Sequence, residues 1–488
     1  MSETLKIVLG YVVSFAYMGV VIALGELLHK LCHLSEDTTR KIEHILTSAS
    51  WIIAYLFFGA TYHLLITNFL GLVGLTVIMF SGKLKAVERS DEKKSYGLLY
   101  FGISTFIVAT VAVVFMPEQF PLTGIPMFCL ALGDGFAPII AKAAGKHNAK
   151  VVGEKTVVGM ATVFAISALV ALVFNFIFHL GYSWLFIVSV GCLACVVESY
   201  SGRGTDNLFL ELAVFGYVVL HYFGLVTVPL MIMLLIAPVT EIAALLTHSI
   251  TPTAGRVSFV FLLTMVFFAG ASVLSVIVIC FFLSAVTSAI TTRKFNARYE
   301  NAKAKLPRGG YQIFANAVVA WVICLLYYVL KYEVLLFVCF AVLCEEFADS
   351  MASDVGRLSK NAPLDILRFK RTTAGISGGV SLLGIASALL GAMVAAALPF
   401  VAMKFDWKVW LIAAGVAFVG TFVDSIFGSG LQLLYRCPVC ETLTERKTHC
   451  EVATEKVKGV RYVDNSMVNL LSGLVSAGIA FLLFYFLV

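Results

Sequence analysis

Eight carboxylates stand where apolar side chains would be expected. Asp134, Glu198, Asp206, Glu345, Glu346, Asp349, Asp424 and Asp464 all lie in or at the ends of apolar segments. Placing each at the centre of a membrane helix costs about 2.5–3.5 kcal/mol, so such residues mark function. A magnesium ion takes one or two carboxylates, with phosphate oxygens and water completing its octahedron. Asp134, Glu198 and Asp206 could supply them in the first half of the chain, and Asp349, Asp424 and Asp464 in the second. A transferring phosphoryl group also needs fixed positive charge, which Lys155, or Lys370 with Arg371, could provide. Glycines beside these residues let backbone N–H groups approach phosphate. There is no GxxxxGK[ST] loop, so the chemistry indicated is phosphoryl transfer without a P-loop. Taken alone, "GDG" at 133–135 is also what a tight turn looks like. The ordered set carries the argument.

That order occurs twice. The first half reads "GDGFAPIIAKAAGK", "GEKTVVGM", "VVES" at 196–199 and "TDNLF" at 205–209. The second reads "FADSMASDVGR", "FKRTTAGISGG", "FVDS" at 422–425 and "VDNSM" at 463–467. Lys155 follows Asp134 by 21 positions, and Lys370 follows Asp349 by the same 21. Short degenerate patterns also recur by chance in apolar sequence. Four elements in one order read as a duplication, with two related active sites and a boundary near Ser249–Arg256. The expected domains are 1–250 and 251–488.

The elements that hold these residues must be membrane helices. The chain has 488 residues, 60% of them hydrophobic and 13% charged, and a mean hydropathy of +0.95. A soluble core of this length does not need so much apolar surface. Apolar runs such as Ile7–Leu24, Phe101–Phe115, Val157–Phe178, Ser183–Val197, Phe259–Val286, Ile313–Leu330, Val409–Phe422 and Leu470–Leu487 recur from end to end. At about 20 residues per crossing, the expected fold is an all-α polytopic transmembrane bundle of about 15 spans in two halves. The stretch 257–292 reads equally as one long helix or two short ones. The N-terminus has no basic n-region or small-residue cleavage site, so the first apolar run reads as a retained span.

Basic residues gather in short loops: Lys30 to Lys41, Lys83 to Lys94, Lys142 to Lys155, Arg293 to Arg308, Arg357 to Arg371 and Arg436 to Arg461. Connections such as "PEQFP" at 117–121 and "KFDWK" at 404–408 are poor in Lys and Arg. This alternation places the basic loops on the cytoplasmic side, as in an inner-membrane protein. The carboxylates lie nearer the basic loops than the basic-poor ones, as suits a rim enzyme with a water-soluble phosphate donor. A transporter's ion path would run at midplane. The basic loops are short, separated and not interleaved with aromatics, so nothing suggests a nucleic-acid partner.

Residues roughly 35–230 resemble the CTP-dependent polyprenol kinases, the group of phytol kinase, dolichol kinase and yeast-type diacylglycerol kinase. The pieces are "RKIEH" at 40–44, "LGDGFAPIIAKAAGK" at 132–146, "GEKTVVG" at 153–159 and "VESYSGRGTDNLF" at 197–209. The usual "KSxEGS" is Lys155-Thr-Val-Val-Gly here, without the acidic residue. Residues roughly 300–480 resemble the integral membrane family that includes phytyl-phosphate kinase. The matching blocks are "PRGGYQIFAN" at 307–316, "FADSMASDVG" at 347–356, "RTTAGISGGVSLLG" at 371–384, "DSIFGSGLQ" at 424–432 and "VDNSMVNLLS" at 463–472. The usual Glu-Leu-Gly of the second block is Asp354-Val-Gly. The resemblances imply a fused, bifunctional membrane kinase that converts an isoprenoid alcohol to its monophosphate and then its diphosphate, with CTP or another nucleoside triphosphate and Mg²⁺.

In the first site Asp134, Glu198 and Asp206, with Asn207, are then the metal and nucleotide candidates. Lys142 and Lys155 are phosphate candidates, with Arg40, Lys41 and His44 near the phosphoryl centre. His44 could accept the alcohol proton or could serve in helix packing. In the second site the metal and nucleotide candidates are Asp349, Asp354, Asp424, Asp464 and Asn465. Its phosphate candidates are Arg308, Lys370 and Arg371.

A separate constellation, "YRCPVCETLTERKTHC" at 435–450, sets Cys437 and Cys440 in a C-x-x-C knuckle with His449 and Cys450 further on. Thiolates and imidazole at this spacing suit tetrahedral zinc. A redox pair or thiols without a role are the alternatives. Adjacent His449 and Cys450 need an unusual backbone if both are to ligate. Two other functions use similar parts. A cytidylyltransferase acting on a lipid phosphate would release pyrophosphate where a kinase releases CDP. A secondary transporter would also carry many spans and an internal repeat.

Overall fold

The computed structural model describes residues 2–33, 36–81, 96–145, 148–202, 204–247, 249–298, 307–403 and 406–487. The basic loop from Lys83 to Lys94 lies outside the described residues, and of Arg40 only the backbone is described. The chain divides into two compact units, Met1–Leu246 and Thr247–Val488.

The first unit opens with α1 (Glu3–Leu31), α2 (Glu36–Ser48), α3 (Ser50–Phe57), α4 (Tyr62–Ser81) and α5 (Gly97–Phe115). A composite helix follows, 3₁₀ over Pro117–Thr123, α over Gly124–Phe128 (α6), π over Cys129–Asp134, and α again over Gly135–Ala143 (α7). Then come an antiparallel hairpin of β1 (Lys150–Val152) and β2 (Lys155–Thr156), and the helices α8 (Val157–Phe178), α9 (Trp184–Tyr200), α10 (Asp206–Tyr222) and α11 (Val228–Leu246). The π segment packs on α8 and α2. Its residues Cys129, Leu130 and Ala131 are fully buried.

The second unit has α12 (Pro252–Ala269), α13 (Ala271–Arg298), α14 (Gly310–Leu330) and α15 (Glu333–Gly356). The hairpin β3 (Leu364–Asp365) and β4 (Gly379–Val380) leads into α16 (Leu382–Met403) and α17 (Trp407–Gly430). A small β-region and α18 (Asn465–Leu487) complete it. α15 is the axis, packed on α13, α14, α16, α17 and α18. Its partner α16 presents buried Ala388, Ala392, Ala395 and Ala396, small residues that let two backbones approach where lipid gives no hydrophobic drive.

Among the described residues ten helices are long and apolar enough to cross a membrane, and α4, α9 and α16 hold shorter apolar runs. The expected count of about 15 spans goes beyond these ten. α15 falls outside the ten because it carries Glu333, Glu345, Glu346, Asp349 and Asp354, and α10 because it is only 17 residues long. The ambiguous stretch 257–292 is two helices, broken at Gly270, whose φ of 70° ends α12.

Candidate functional site

In the first unit three carboxylates meet from three elements. Asp134 ends the π segment, Glu198 lies in the last turn of α9, and Asp206 opens α10. One oxygen from each lies within 4.8 Å of the others. Lys41 of α2 pairs with Asp134, and Lys155 of β2 pairs with Glu198 and stands 4.0 Å from Asp206. The local sequence explains this convergence. A Cβ on Gly135 would collide with the side chain of Ile45, whereas one on Gly133 would meet only ordinary contacts at 3.5 Å. The second glycine of "GDG" is therefore required by the close approach of α2, which delivers Lys41. Pro138 has no N–H for the carbonyl of Asp134, four residues back, which loosens the helix at the same point.

Lys155 is placed by a polar staple. Asn148 donates to the carbonyl of Ala141 at 3.1 Å and to Thr156 Oγ1 at 2.9 Å, while its Oδ1 accepts from Val158 N. Thr156 in turn caps α8 through Gly159 N at 3.3 Å. Burial alone would depress the Lys155 ammonium, but Glu198, with Asp134 and Asp206, outweighs it and holds the pKa above its ordinary value. The donor set is all hard oxygen, and Glu198 Oε2 is buried with no hydrogen-bond partner. Such an atom fits a divalent cation.

The other first-half candidates spread out. His44, one turn after Lys41, meets Phe101 edge-on with centroids 5.3 Å apart and lies within electrostatic reach of Asp134. The Asn207 amide donates to the Gly97 carbonyl at 2.8 Å, tying α10 to α5. Lys142 is exposed on α7. Sequence reasoning missed Glu211, buried on α10, where it accepts from Ser104 at 2.5 Å. Its only signal was a glutamate inside an apolar helix. Val152, Val196, Tyr200 and Leu245, with Ser199 and Glu241, line a small water-sized cavity nearby.

The second unit is built differently. Glu345, Glu346 and Asp349 on α15 act electrostatically on Asp424 of α17 or on one another, and Arg308 acts on Glu346. Ser472 donates to Glu345 Oε1 at 3.2 Å, and Glu345 Oε2 is buried with no hydrogen-bond partner. Asn469, with its amide turned to satisfy its neighbours, donates to Asp424 Oδ2 at 3.2 Å and meets Asn316. Asp464 is exposed and caps α18 through Met467 N at 3.0 Å. Asp354 pairs with Arg357 at 3.4 Å. Lys370 is exposed, and Arg371 donates to the Ala362 carbonyl within its own hairpin. Among the described residues, Asp349, Asp424 and Asp464 do not draw ligand atoms together as the first-unit trio does.

Here the glycine-rich loop docks on protein. Gly378 has φ 83°, and a Cβ there would collide with the Ser429 backbone at the end of α17. Beside it Asp365 accepts from Ser429 Oγ at 2.6 Å and from the amides of Leu367 and Arg368, with Lys458 4.0 Å away. Nothing in the sequence singled out Asp365. Ser377 donates to Glu445 Oε1 through its amide at 3.0 Å and its hydroxyl at 2.7 Å, and its hydroxyl is 3.1 Å from the Asn465 side chain. Cys437, Cys440, His449 and Cys450 form a second group with ligand atoms within 4.8 Å of one another.

The polar sites, the apolar helices and the family match define an integral membrane protein. Residues 235–477 match the family described as integral membrane protein DUF92, a range that includes all five second-half blocks. The chain is also similar to the phytol kinase of Synechocystis sp., 28% identical over 212 residues, which cover 40% of this chain and 84% of that protein. No solved structure matches the chain.

Proposed function

We propose that this is a membrane isoprenoid kinase acting twice, from alcohol to monophosphate in the first unit and from monophosphate to diphosphate in the second. The observation that carries the reading is the meeting of Asp134, Glu198 and Asp206 with Lys41 and Lys155. A nucleoside triphosphate, CTP on the sequence resemblance, would enter as its magnesium complex held by the three carboxylates. Bound there, magnesium neutralises charge developing on the phosphates. Lys41 and Lys155, released from Asp134 and Glu198, hold the phosphate oxygens. His44 takes the hydroxyl proton.

In the second unit Glu345, Asp349 and Asp424 are the metal-binding candidates, with Arg308, which acts on Glu346, as the cation for the acceptor phosphate. A phosphate acceptor needs no strong base, which agrees with the absence of a His44 counterpart among the described residues. The basic loops support a reading in which both reactions face the cytoplasm. The test is to supply purified protein with geranylgeraniol or phytol, Mg²⁺ and each nucleoside triphosphate. Mono- and diphosphate should appear in that order with release of nucleoside diphosphate. Release of pyrophosphate would make the protein a cytidylyltransferase instead.

A further inference from the structure

The group at 437–450 has the form of a closed metal centre. Its knuckles come from two small hairpins, β5 (Leu434–Arg436) with β6 (Leu443–Thr444), and β7 (Thr448–His449) with β8 (Val452–Ala453). Cys440 Sγ lies 3.4 Å from His449 Nδ1 and 3.8 Å from Cys450 Sγ, and Cys450 Sγ lies 3.3 Å from His449 Nδ1. Tetrahedral ligands around zinc, at about 2.3 Å for sulfur and about 2.0 Å for nitrogen, stand roughly 3.5–3.8 Å apart. The backbone supplies an independent sign. The turn joining β7 to β8 is Cys450-Glu451, with φ 50° and 62°. That is the twist of a type I′ turn, which normally calls for Gly or Asn. Two non-glycine residues held there cost of order 1–3 kcal/mol each. The strained turn is what lets adjacent His449 and Cys450 both face the cluster.

The position of the loop gives the centre a task. It is inserted between α17, which carries Asp424, and α18, which Asp464 caps, and it returns along β9 (Glu455–Lys458), paired with β5. Between its two knuckles stands Glu445, the residue that accepts both Ser377 hydrogen bonds and acts electrostatically on Asp424. We infer that Cys437, Cys440, His449 and Cys450 bind a structural Zn²⁺, and that this zinc clip holds Glu445 against the Ser377 loop and so shapes the second site. Four protein ligands leave no open position, so the ion serves structure, and soft thiolates with imidazole select zinc over magnesium.

The zinc clip stands without the kinase reading; only its effect on turnover rests on that reading. The purified protein, prepared without chelator, should carry one zinc per chain, with an X-ray absorption spectrum of three sulfur ligands and one nitrogen. Cys440→Ser and His449→Ala should each weaken zinc binding roughly 10-fold or more. Zinc removal, and separately Glu445→Gln with zinc retained, should speed hydrogen exchange at the Ser377 amide. Zinc loss should slow the monophosphate step and spare the alcohol step. A metal-free protein that takes up no added zinc, a disulfide among these cysteines, or Ser377 exchange indifferent to both perturbations would overturn the inference. So would equal slowing of the two steps.

Discussion

The two units share an order of elements and differ in what fills one connection. Each runs acidic helix, hairpin, long apolar helix, a helix bearing Glu-Ser or Asp-Ser, then a helix opening at Asp-Asn. In the first unit residues 201–205 join the last two helices, and Glu198 and Asp206 meet across that short turn. In the second the connection runs from 431 to 464, and Asp464 ends as an exposed cap. A short link draws hard oxygen atoms close together. A long one separates the same residue types and brings in new ones, Glu445 and the cysteine cluster. Repeated spacing in sequence therefore does not mean repeated geometry, as Lys155 and Lys370 show: one is drawn among three carboxylates, the other is exposed on a hairpin.

The sharpest way to break this comparison is to disable one unit at a time. Asp134→Asn should lower conversion of the alcohol by about 10²–10³-fold and leave a supplied monophosphate turning over. Asp349→Asn should let the monophosphate accumulate. If either single variant abolished both reactions, measured by product chromatography, the assignment of one step to each unit would be lost. Next in size is the contrast between the lysines. Lys155→Met should cost the first step about 10²-fold, whereas Lys370→Met should cost the second less than about tenfold because the side chain is exposed.

A smaller effect separates the glycines by stability. Gly378→Ala forces an alanine into the left-handed region and against the Ser429 backbone, and should destabilise the second unit by about 1–3 kcal/mol. Gly133→Ala, with room for its methyl, should shift the melting temperature far less.

Much of the first site was legible because its residues are chemically out of place. A carboxylate in an apolar run is visible without coordinates, and Asp134, Glu198 and Asp206 were found that way. What the pattern hid was support. Gly135 is needed for Ile45 of a distant helix, and Asn148 acts through three partners that no motif names. The second candidate site was less legible because loop residues hold much of it together. Asp365 and Glu445 sit in ordinary polar sequence, and their roles come from docking on Ser429 and Ser377. The cysteine cluster was visible in its ligand types. The means by which neighbours His449 and Cys450 both join it, a left-handed turn, is a property of the backbone alone.

The finest contrast is in pH, where the units carry opposite signs. In the first, Glu43 of α2 lies against Gly25 of α1. Burial, then the charge of Glu26, pushes its carboxyl up to about 7 from 4.5. Glu26 itself pairs with Lys30 at 3.1 Å. The folded state thus binds the proton more tightly than the unfolded chain, so stability is fully present below 4.5 and declines as pH rises through about 7. In the second, burial would raise Asp365, but Ser429, the amides of Arg368 and Leu367, and Lys458 overcome it and hold the pKa below 3.8. Its contribution is present above 3.8 and is lost only in acid. Glu43 is half-exposed, so solvent screens its effect and the change should be modest. Limited proteolysis between about pH 5 and 8 should show the α1–α2 pair loosening as pH rises while the Asp365 hairpin does not change. Glu43→Gln should flatten the first response, and a profile unchanged by that substitution would remove Glu43 as its source.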